Sequence, residues 1–259
     1  MGILNLNSVT IQFGGLIAVN SVEMKINKGS IHALIGPNGA GKSTIFNLIT
    51  GIYKPTNGAI SFEDKEINGI STYKLTSLGI ARTFQNIRLF EQLTALDNVK
   101  VGNHIKGNVG LIGSLIRSPK QQQEEKWIEE KALEELNFMN LYSKKDEFAK
   151  NLSYGDQRRL EIARALASDP KIILLDEPAA GMNPQEKRTL MDLINKIRER
   201  GVTVFLVEHD MKVVMGISDI ISVLDYGKKI AEGTPNEIKN NKDVIAAYLG
   251  TEYLKTQME

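Results

Sequence analysis

The sequence has no cysteine among its 259 residues, which excludes disulfides and thiol chemistry and fits a reducing compartment. Histidine is scarce at three, too few for a His-rich metal site. Neither sign of charge is in excess. Lys and Arg number 32 against 31 Asp and Glu, so no overall field marks the chain for nucleic acid or an anionic membrane surface, and any polyanion binding is local. No apolar run reaches the ~18 to 20 residues of a membrane-spanning helix. The N-terminal "MGILNLNSVT" has neither a basic region nor a long apolar one, so no secretory signal is expected. Gly2 fails the myristoylation pattern, because Leu6 stands where Ser or Thr is required. Internal repeats, low-complexity tracts and heptad arrays are absent too. A soluble cytoplasmic protein is the expectation.

What is present is 42% hydrophobic residues, enough to bury the core of one large α/β domain or two small ones. "SVTIQF" and "SVEMKIN", separated by "GGLIAVN", predict short antiparallel strands at the start. "SIHALIGP" reads as a buried strand running into a Gly-rich turn, and "KSTIFNLITGI" continues with helical spacing. From Thr94 to Ala167 the chain reads as largely helical. Within that stretch "HIKGNVGLIGSLIRSP", ending at Pro119, suggests a loop or short helical insertion, and "KQQQEEKWIEEKALEELNFM" is strongly helical. From Lys171 onward "KIILLDEP", "PQEKRTLMDLINKIRERG", "VTVFLVEH", "MKVVMGIS" and "DIISVLDYGKKIAEG" alternate between strand and helix. Such alternation predicts a mostly parallel sheet with helices packed on it.

The chemistry concentrates in a few stretches. "GPNGAGKS", Gly36 to Ser43, fits G-x-x-x-x-G-K-[ST] between a strand and a helix. Glycines there let main-chain N–H groups wrap a phosphate, Lys42 brings a cation to the β/γ oxygens, and the Ser43 hydroxyl can ligate Mg²⁺. "IILLDE" ends a buried strand with two acids. Asp176 is suited to hold Mg²⁺ through water and Glu177 to orient and deprotonate an attacking water. "VFLVEHD" ends another apolar strand with His209, whose ring can contact a phosphate oxygen and that water. His32, inside a strand, and His104, in a Gly-flanked turn, read as structural. Gln85 follows a strand in "TFQN" and could ligate Mg²⁺ through its amide. Finally, "NLSYGDQRRLEIARAL" reads as a basic amphipathic helix whose tip, Ser153 and Gly155, offers a hydroxyl and N–H groups to an anion. Because the Lys42 loop already cradles one nucleotide, this second site is expected to serve the nucleotide of another subunit.

These residues together resemble the ATP-binding cassette (ABC) ATPases. "GPNGAGKST", which is Gly36, Pro37, Asn38, Gly39, Ala40, Gly41, Lys42, Ser43 and Thr44, looks like the Walker A loop. Gln85 looks like the Q-loop, "LSYGD" the signature, "IILLDE" Walker B and His209 the switch histidine. The resemblance implies an α/β P-loop NTPase fold: a RecA-like core with an antiparallel β subdomain and an inserted α-helical subdomain. It implies one cassette over residues 1–259, with 1–93 and 168–259 forming the β subdomain and nucleotide core and 94–167 the helical signature subdomain. It further implies ATP and Mg²⁺ as cofactors, head-to-tail pairing with a second cassette, and Phe13 as the aromatic that stacks on adenine. On physical grounds alone Phe13 fits a core position equally well.

"QFGGLIAVN", "RTFQNIRLF", "DEPAAGMNP", "EHDMKVVMGISD" and "VIAAYLG" look like one branch, the ATP-binding subunits of high-affinity branched-chain amino acid importers. That branch implies ATP hydrolysis driving uptake of Leu, Ile and Val through separate membrane permease subunits. An extracytoplasmic amino-acid-binding protein would be involved indirectly, nucleic acid not at all, and the chain would sit peripherally on the cytoplasmic face of the membrane. The alternative is a cassette for other amino acids or for lipopolysaccharide export. Chromosome and repair cassettes carry coiled-coil arms that this chain lacks, translation-factor cassettes come two to a chain, and a GTPase needs an N-K-x-D that is missing here. Tyr154 and Asp156 depart from the commonest signature, and Asn183 stands where many cassettes have Asp. By analogy "IRLF" and "VGLIGSLI" could meet a partner helix or be core. Trp127 is expected to pack within the helical part, and "DVIAAYLG" to pack on its own core or on a second copy.

Overall fold

The computed structural model describes residues 2–103 and 119–249. Two strands open the chain, β1 (Gly2–Phe13) and β2 (Leu16–Asn27). With β4 (Asn57–Phe62) and β5 (Lys65–Glu66) they form an antiparallel sheet in the order β2-β1-β4-β5. Both opening strands are longer than the sequence suggests. Only Gly14 and Gly15 of "GGLIAVN" form the turn, and the rest belongs to β2. Register shifts along β1, together with positive φ at Ser8 and Ser21, break the strict alternation by which a strand is recognised.

The second sheet contains β3 (Ile31–Ile35), β6 (Ile80–Arg82), β7 (Ile172–Asp176), β8 (Thr203–Val207), β9 (Ile220–Asp225) and β10 (Lys228–Gly233). Its order is β10-β9-β3-β8-β7-β6, and every neighbouring pair is parallel except β9 with β10. β3, β7 and β8 are buried along their whole length, because both faces of this sheet are covered. Alternate side chains enter different cores. Leu34, Leu174 and Phe205 face α1 (Lys42–Ile49) and the antiparallel sheet. Ala33, Leu175 and Leu206 share the other core with α6 (Pro184–Glu199), α5 (Tyr154–Leu166) and α4 (Pro119–Phe138).

The helical part corrects one expectation and refines another. Trp127 is 43% exposed, since the buried stripe of α4 runs through Ile128, Ala132 and Leu136, four residues apart. α5, expected to be a basic amphipathic helix, buries charge along with apolar side chains. Arg158 and Glu161 are buried on it beside Leu160, Ile162 and Ala163, so its charge points inward. The C-terminal α9 (Lys242–Leu249) packs on the molecule's own core through Val244. His104 and "VGLIGSLI" lie outside the described residues. Among the described residues no helix is long and apolar enough to cross a membrane. Ile35, Asp176 and Val207 end β3, β7 and β8 at the same edge of the parallel sheet, the edge where ligands of such sheets bind.

Candidate nucleotide site

The chain leaves β3 through glycines that nothing else could replace at two points. Gly36 has φ 152°, and a Cβ there would lie 2.1 Å from the carbonyl oxygen of Leu224. Gly41 has φ 102°, and its Cβ would lie 2.7 Å from the carbonyl oxygen of Ala18. Gly41 is also the N-cap of α1, whose first turn carries no acidic residue and no side-chain cap. Its first N–H groups are thereby left to an anion, which the helix dipole favours. Lys42 bends back over the loop, its Nζ donating to the carbonyls of Gly36 at 2.7 Å and Pro37 at 2.9 Å. Burial lowers the Lys42 ammonium from its ordinary 10.5, and the negative charges of Glu177 and Asp176 oppose that shift.

Beside this loop the strand ends bring the acids. Asp176 is buried and pairs with Arg82 Nη2 at 2.9 Å, while Arg82 Nη1 reaches Asn47 Oδ1 at 2.7 Å and Thr50 Oγ1 at 3.2 Å. Glu177 adopts φ 47°, a left-handed conformation that costs a side-chain-bearing residue on the order of 1 kcal/mol. Its N–H is held by the Val207 carbonyl at 2.9 Å. Glu177 Oε2 then accepts from Gln85 Nε2 at 3.1 Å and lies 3.6 Å from His209 Nδ1. Lys42, Ser43, Thr44, Gln85 and Glu177 line a cavity of about 580 Å³ that also includes Asn38, Gly39, Ala40 and Gly41. Phe13 is on the wall of this cavity and not in the core, 44% exposed, with its ring edge-on to Tyr53 at 5.1 Å.

Ser153 and Gly155 lie elsewhere, and neither lines that cavity. Ser153 caps α5, its Oγ accepting the Asp156 N–H at 3.2 Å. Gly155 lies close against α6, where a Cβ would sit 2.7 Å from Glu186 Oε1 and displace that side chain. Asn183 has a local role as the N-cap of α6, where it forms a capping box with Glu186.

The profile of the ABC transporter family matches residues 19–180, and that of branched-chain amino acid ATP-binding cassette transporters matches residues 228–253. The chain is 47% identical to BraF, a high-affinity branched-chain amino acid transport ATP-binding protein of Pseudomonas aeruginosa, over 96% of this chain and 98% of that one. The chain belongs to the ABC transporter ATP-binding family. Its identity to the LivG protein of Escherichia coli K12, which carries the same description, is 45% over the same shares. The crystal structure of a nucleotide-free ATP-binding cassette from an ABC transporter matches with TM-score 0.84 at 34% identity, covering 96% of this chain and 99% of that one. A dimeric cassette in a post-hydrolysis state, bound to ADP and Pi, matches with TM-score 0.75 at 30% identity, covering 90% and 98%. As a member of this family the chain binds ATP and hydrolyses it.

Several residues that organise the cassette escape a reading of its sequence. Arg158, 0% exposed, donates to the carbonyls of Phe84 and Gln85, each at 2.6 Å, and to the Tyr154 hydroxyl at 3.0 Å. Glu161 accepts the Arg88 N–H at 3.2 Å and the Phe84 N–H at 3.4 Å. This pair, i and i+3 on α5, grips the main chain of the Gln85 loop. The i,i+3 spacing was visible in "RRLE", but its burial was not. Arg82 and Glu208 are likewise strand-end charges with no motif to mark them. A second cavity, about 420 Å³, opens where β6 and the segment before it face the stretch after Gln85 and the helical part, lined among others by Leu75, Arg82, Phe84, Arg88, Phe90 and Arg164. Within "IRLF", Leu89 packs on the core while Phe90 is half exposed in this cleft.

Proposed function

We propose that this cassette hydrolyses ATP to drive uptake of branched-chain amino acids through separate membrane subunits. It pairs head to tail with a second cassette, the same or a related one, when ATP binds, and reopens after hydrolysis. The observation that carries the hydrolysis step is the convergence of Gln85 and His209 on Glu177 Oε2 beside the Lys42 loop, and the solute class is supported by the descriptions of BraF and LivG.

In this reading Gly36, Pro37, Asn38, Gly39, Ala40, Gly41 and Thr44 wrap the phosphates, and the Lys42 ammonium leaves its loop carbonyls for the β/γ oxygens. Phe13 stacks on adenine. Glu177 takes a proton from water as the water oxygen attacks the γ-phosphorus, and the bond from that phosphorus to the β–γ bridging oxygen breaks, leaving ADP. His209 steadies a γ-phosphate oxygen and the attacking water. Ser43, Gln85 and Asp176 form an oxygen-only donor set that suits Mg²⁺, which takes few protein ligands beside phosphates and water. Gln85 donates its Nε2 to Glu177, so its amide oxygen would be the atom to ligate a cation, and Arg82 occupies one oxygen of Asp176. Bound there, Mg²⁺ would neutralise charge developing on the phosphate oxygens. Ser153 and Gly155 close over the partner's triphosphate.

The same proposal places residues 1–93 and 168–259 in the nucleotide core with its β subdomain, and 94–167 in the signature subdomain. It seats a helix of a membrane subunit in the cleft beside Phe90, which holds the chain on the cytoplasmic face of the membrane. An extracytoplasmic amino-acid-binding protein delivers solute without touching this chain.

Glu177→Gln, sized with and without ATP, tests the core of the proposal. Pairing in ATP and separation in ADP are expected, and a variant that stays monomeric at saturating ATP overturns it. Ser153→Arg should abolish pairing yet leave nucleotide binding intact. Deleting the chain from its own cell should abolish high-affinity uptake of leucine, isoleucine and valine.

A further inference from the structure

Glu208 ends the segment carried by β8, one residue before His209, and is 1% exposed. Among the described residues no Lys, Arg or His forms an ion pair with its carboxylate. It is satisfied instead by three main-chain donors. Ala179 N–H donates to Oε1 at 2.7 Å, and the N–H groups of His209 and Asp210 donate to Oε2 at 3.0 and 3.3 Å. A carboxylate withdrawn from water costs free energy unless such bonds satisfy it, so this arrangement is a strong local constraint. It bridges two loops. One follows β7 and carries Glu177, two residues before Ala179, in its left-handed conformation; the other follows β8 and carries His209. Lys187 adds a second tie between the start of α6 and the second loop through Asp210, at 2.6 Å.

We propose that Glu208 is a positioning residue for ATP hydrolysis: by clamping the main chain of both loops, it sets the 3.6 Å approach of His209 to Glu177. This rests on the reading of Glu177 as the base and His209 as the γ-phosphate contact. The physical reason is specific. Beyond the bond from the Glu177 N–H to the Val207 carbonyl, which ends the β7–β8 pairing, neither loop is held by sheet or helix hydrogen bonds, and a positive φ at Glu177 persists only when its neighbours are pinned. The clamp reaches neither the Lys42 loop nor α1, so it bears on turnover and not on nucleotide affinity.

The test uses the full-length protein with Glu208→Gln, which keeps the shape but turns one oxygen into an NH₂ facing N–H donors. A fall in kcat of about 100-fold is expected, the cost of a misplacement near 1 Å. KM for ATP and Kd for ADP should be unchanged. The Ala179 amide proton, held downfield by the charged acceptor, should move upfield in the NMR spectrum of the variant. Glu208→Asp keeps the charge and the bonds to the second loop but falls short of Ala179, so it should restore part of kcat; it also serves if the amide variant does not fold. A wild-type kcat in both variants, or a parallel loss of kcat and ADP affinity, overturns the proposal. Glu177→Gln separates the two readings. If it stays active, the assignment of the base falls; if it is inactive while Glu208→Gln turns over normally, only the role of Glu208 falls.

Discussion

Ser153 and Asp156 exchange two hydrogen bonds at the tip of α5: the serine hydroxyl donates to Asp156 Oδ2 at 2.8 Å, and the Asp156 N–H donates back to Ser153 Oγ at 3.2 Å. Asp156 therefore fixes the orientation of the Ser153 hydroxyl. Lys144 at 2.5 Å and Arg159 complete its surroundings. Burial pushes the Asp156 carboxyl up, but the bonds from Lys144 and Ser153 and the charge of Arg159 outweigh it and hold the group below its ordinary 3.8. A depressed carboxylate stabilises the fold above its unfolded pKa, and that contribution is lost as pH falls through the lower folded value. Asp156→Asn should thus lower the unfolding free energy at neutral pH by about 1 to 3 kcal/mol. In urea melts the gap from wild type should close as pH drops below 3.8.

The Arg158 and Glu161 pair should behave as a unit. Burial raises the Glu161 carboxyl and the charge of Arg158 opposes that shift, so Arg158→Met leaves a buried acid without its counter-charge. A loss of about 3 to 5 kcal/mol in urea unfolding is expected. Arg158→Met combined with Glu161→Leu should lose much less than the sum of the single changes, the sign of strong coupling in a double-mutant cycle.

Two glycines of the phosphate loop should respond differently to alanine. At Gly36 the added Cβ meets the Leu224 carbonyl oxygen at 2.1 Å, and because that atom is backbone the loop itself must shift. At Gly39, with φ 82°, nothing lies within 4 Å, so only backbone strain on the order of 1 kcal/mol is added. Calorimetric titration with ADP should find binding abolished by Gly36→Ala and only weakened by Gly39→Ala.

His32 gives the cassette a second dependence on pH. Its Nε2 bonds Ser222 Oγ at 2.9 Å, and its ring sits edge-on to Phe205 at 5.6 Å. Burial lowers its pKa from 6.5 to about 4, with the charge of Glu232 working against that shift and Lys229 adding to it. The unfolded chain therefore binds the proton first. Stability should be full above pH 6.5 and fall as pH drops toward 4, a total of about 3 kcal/mol from this one group. His32→Gln, which can still donate to Ser222, should flatten that stretch of the stability profile.

How far the sequence could be read differs between kinds of residue. The lysine loop was legible because its pattern describes a local backbone path between one strand and one helix, and β3 and α1 follow directly. The strand ends bearing Asp176, Glu177 and His209 were legible because a short apolar run stopping at polar residues marks where a buried strand emerges. The full length of β1 and β2 was not, since bulges interrupt the period of two that reveals a strand. Trp127 was misplaced because an aromatic on a helix reads as packing until the neighbouring stripe is known.

Sequence alone therefore supplied what depends on neighbours in the chain: the glycine-rich turn between β3 and α1, the acids after β7, the α/β alternation and, through these, the resemblance to the family. Tertiary structure decided what depends on neighbours in space. A charged side chain on a helix or at a strand end looks solvated when read along the chain, and nothing local marks Arg158, Glu161 or Glu208 as removed from water. Their burial follows from the order in which the strands assemble, β10-β9-β3-β8-β7-β6, which brings segments far apart in sequence to one edge. Only there do a buried charge and a distant main chain meet and satisfy each other.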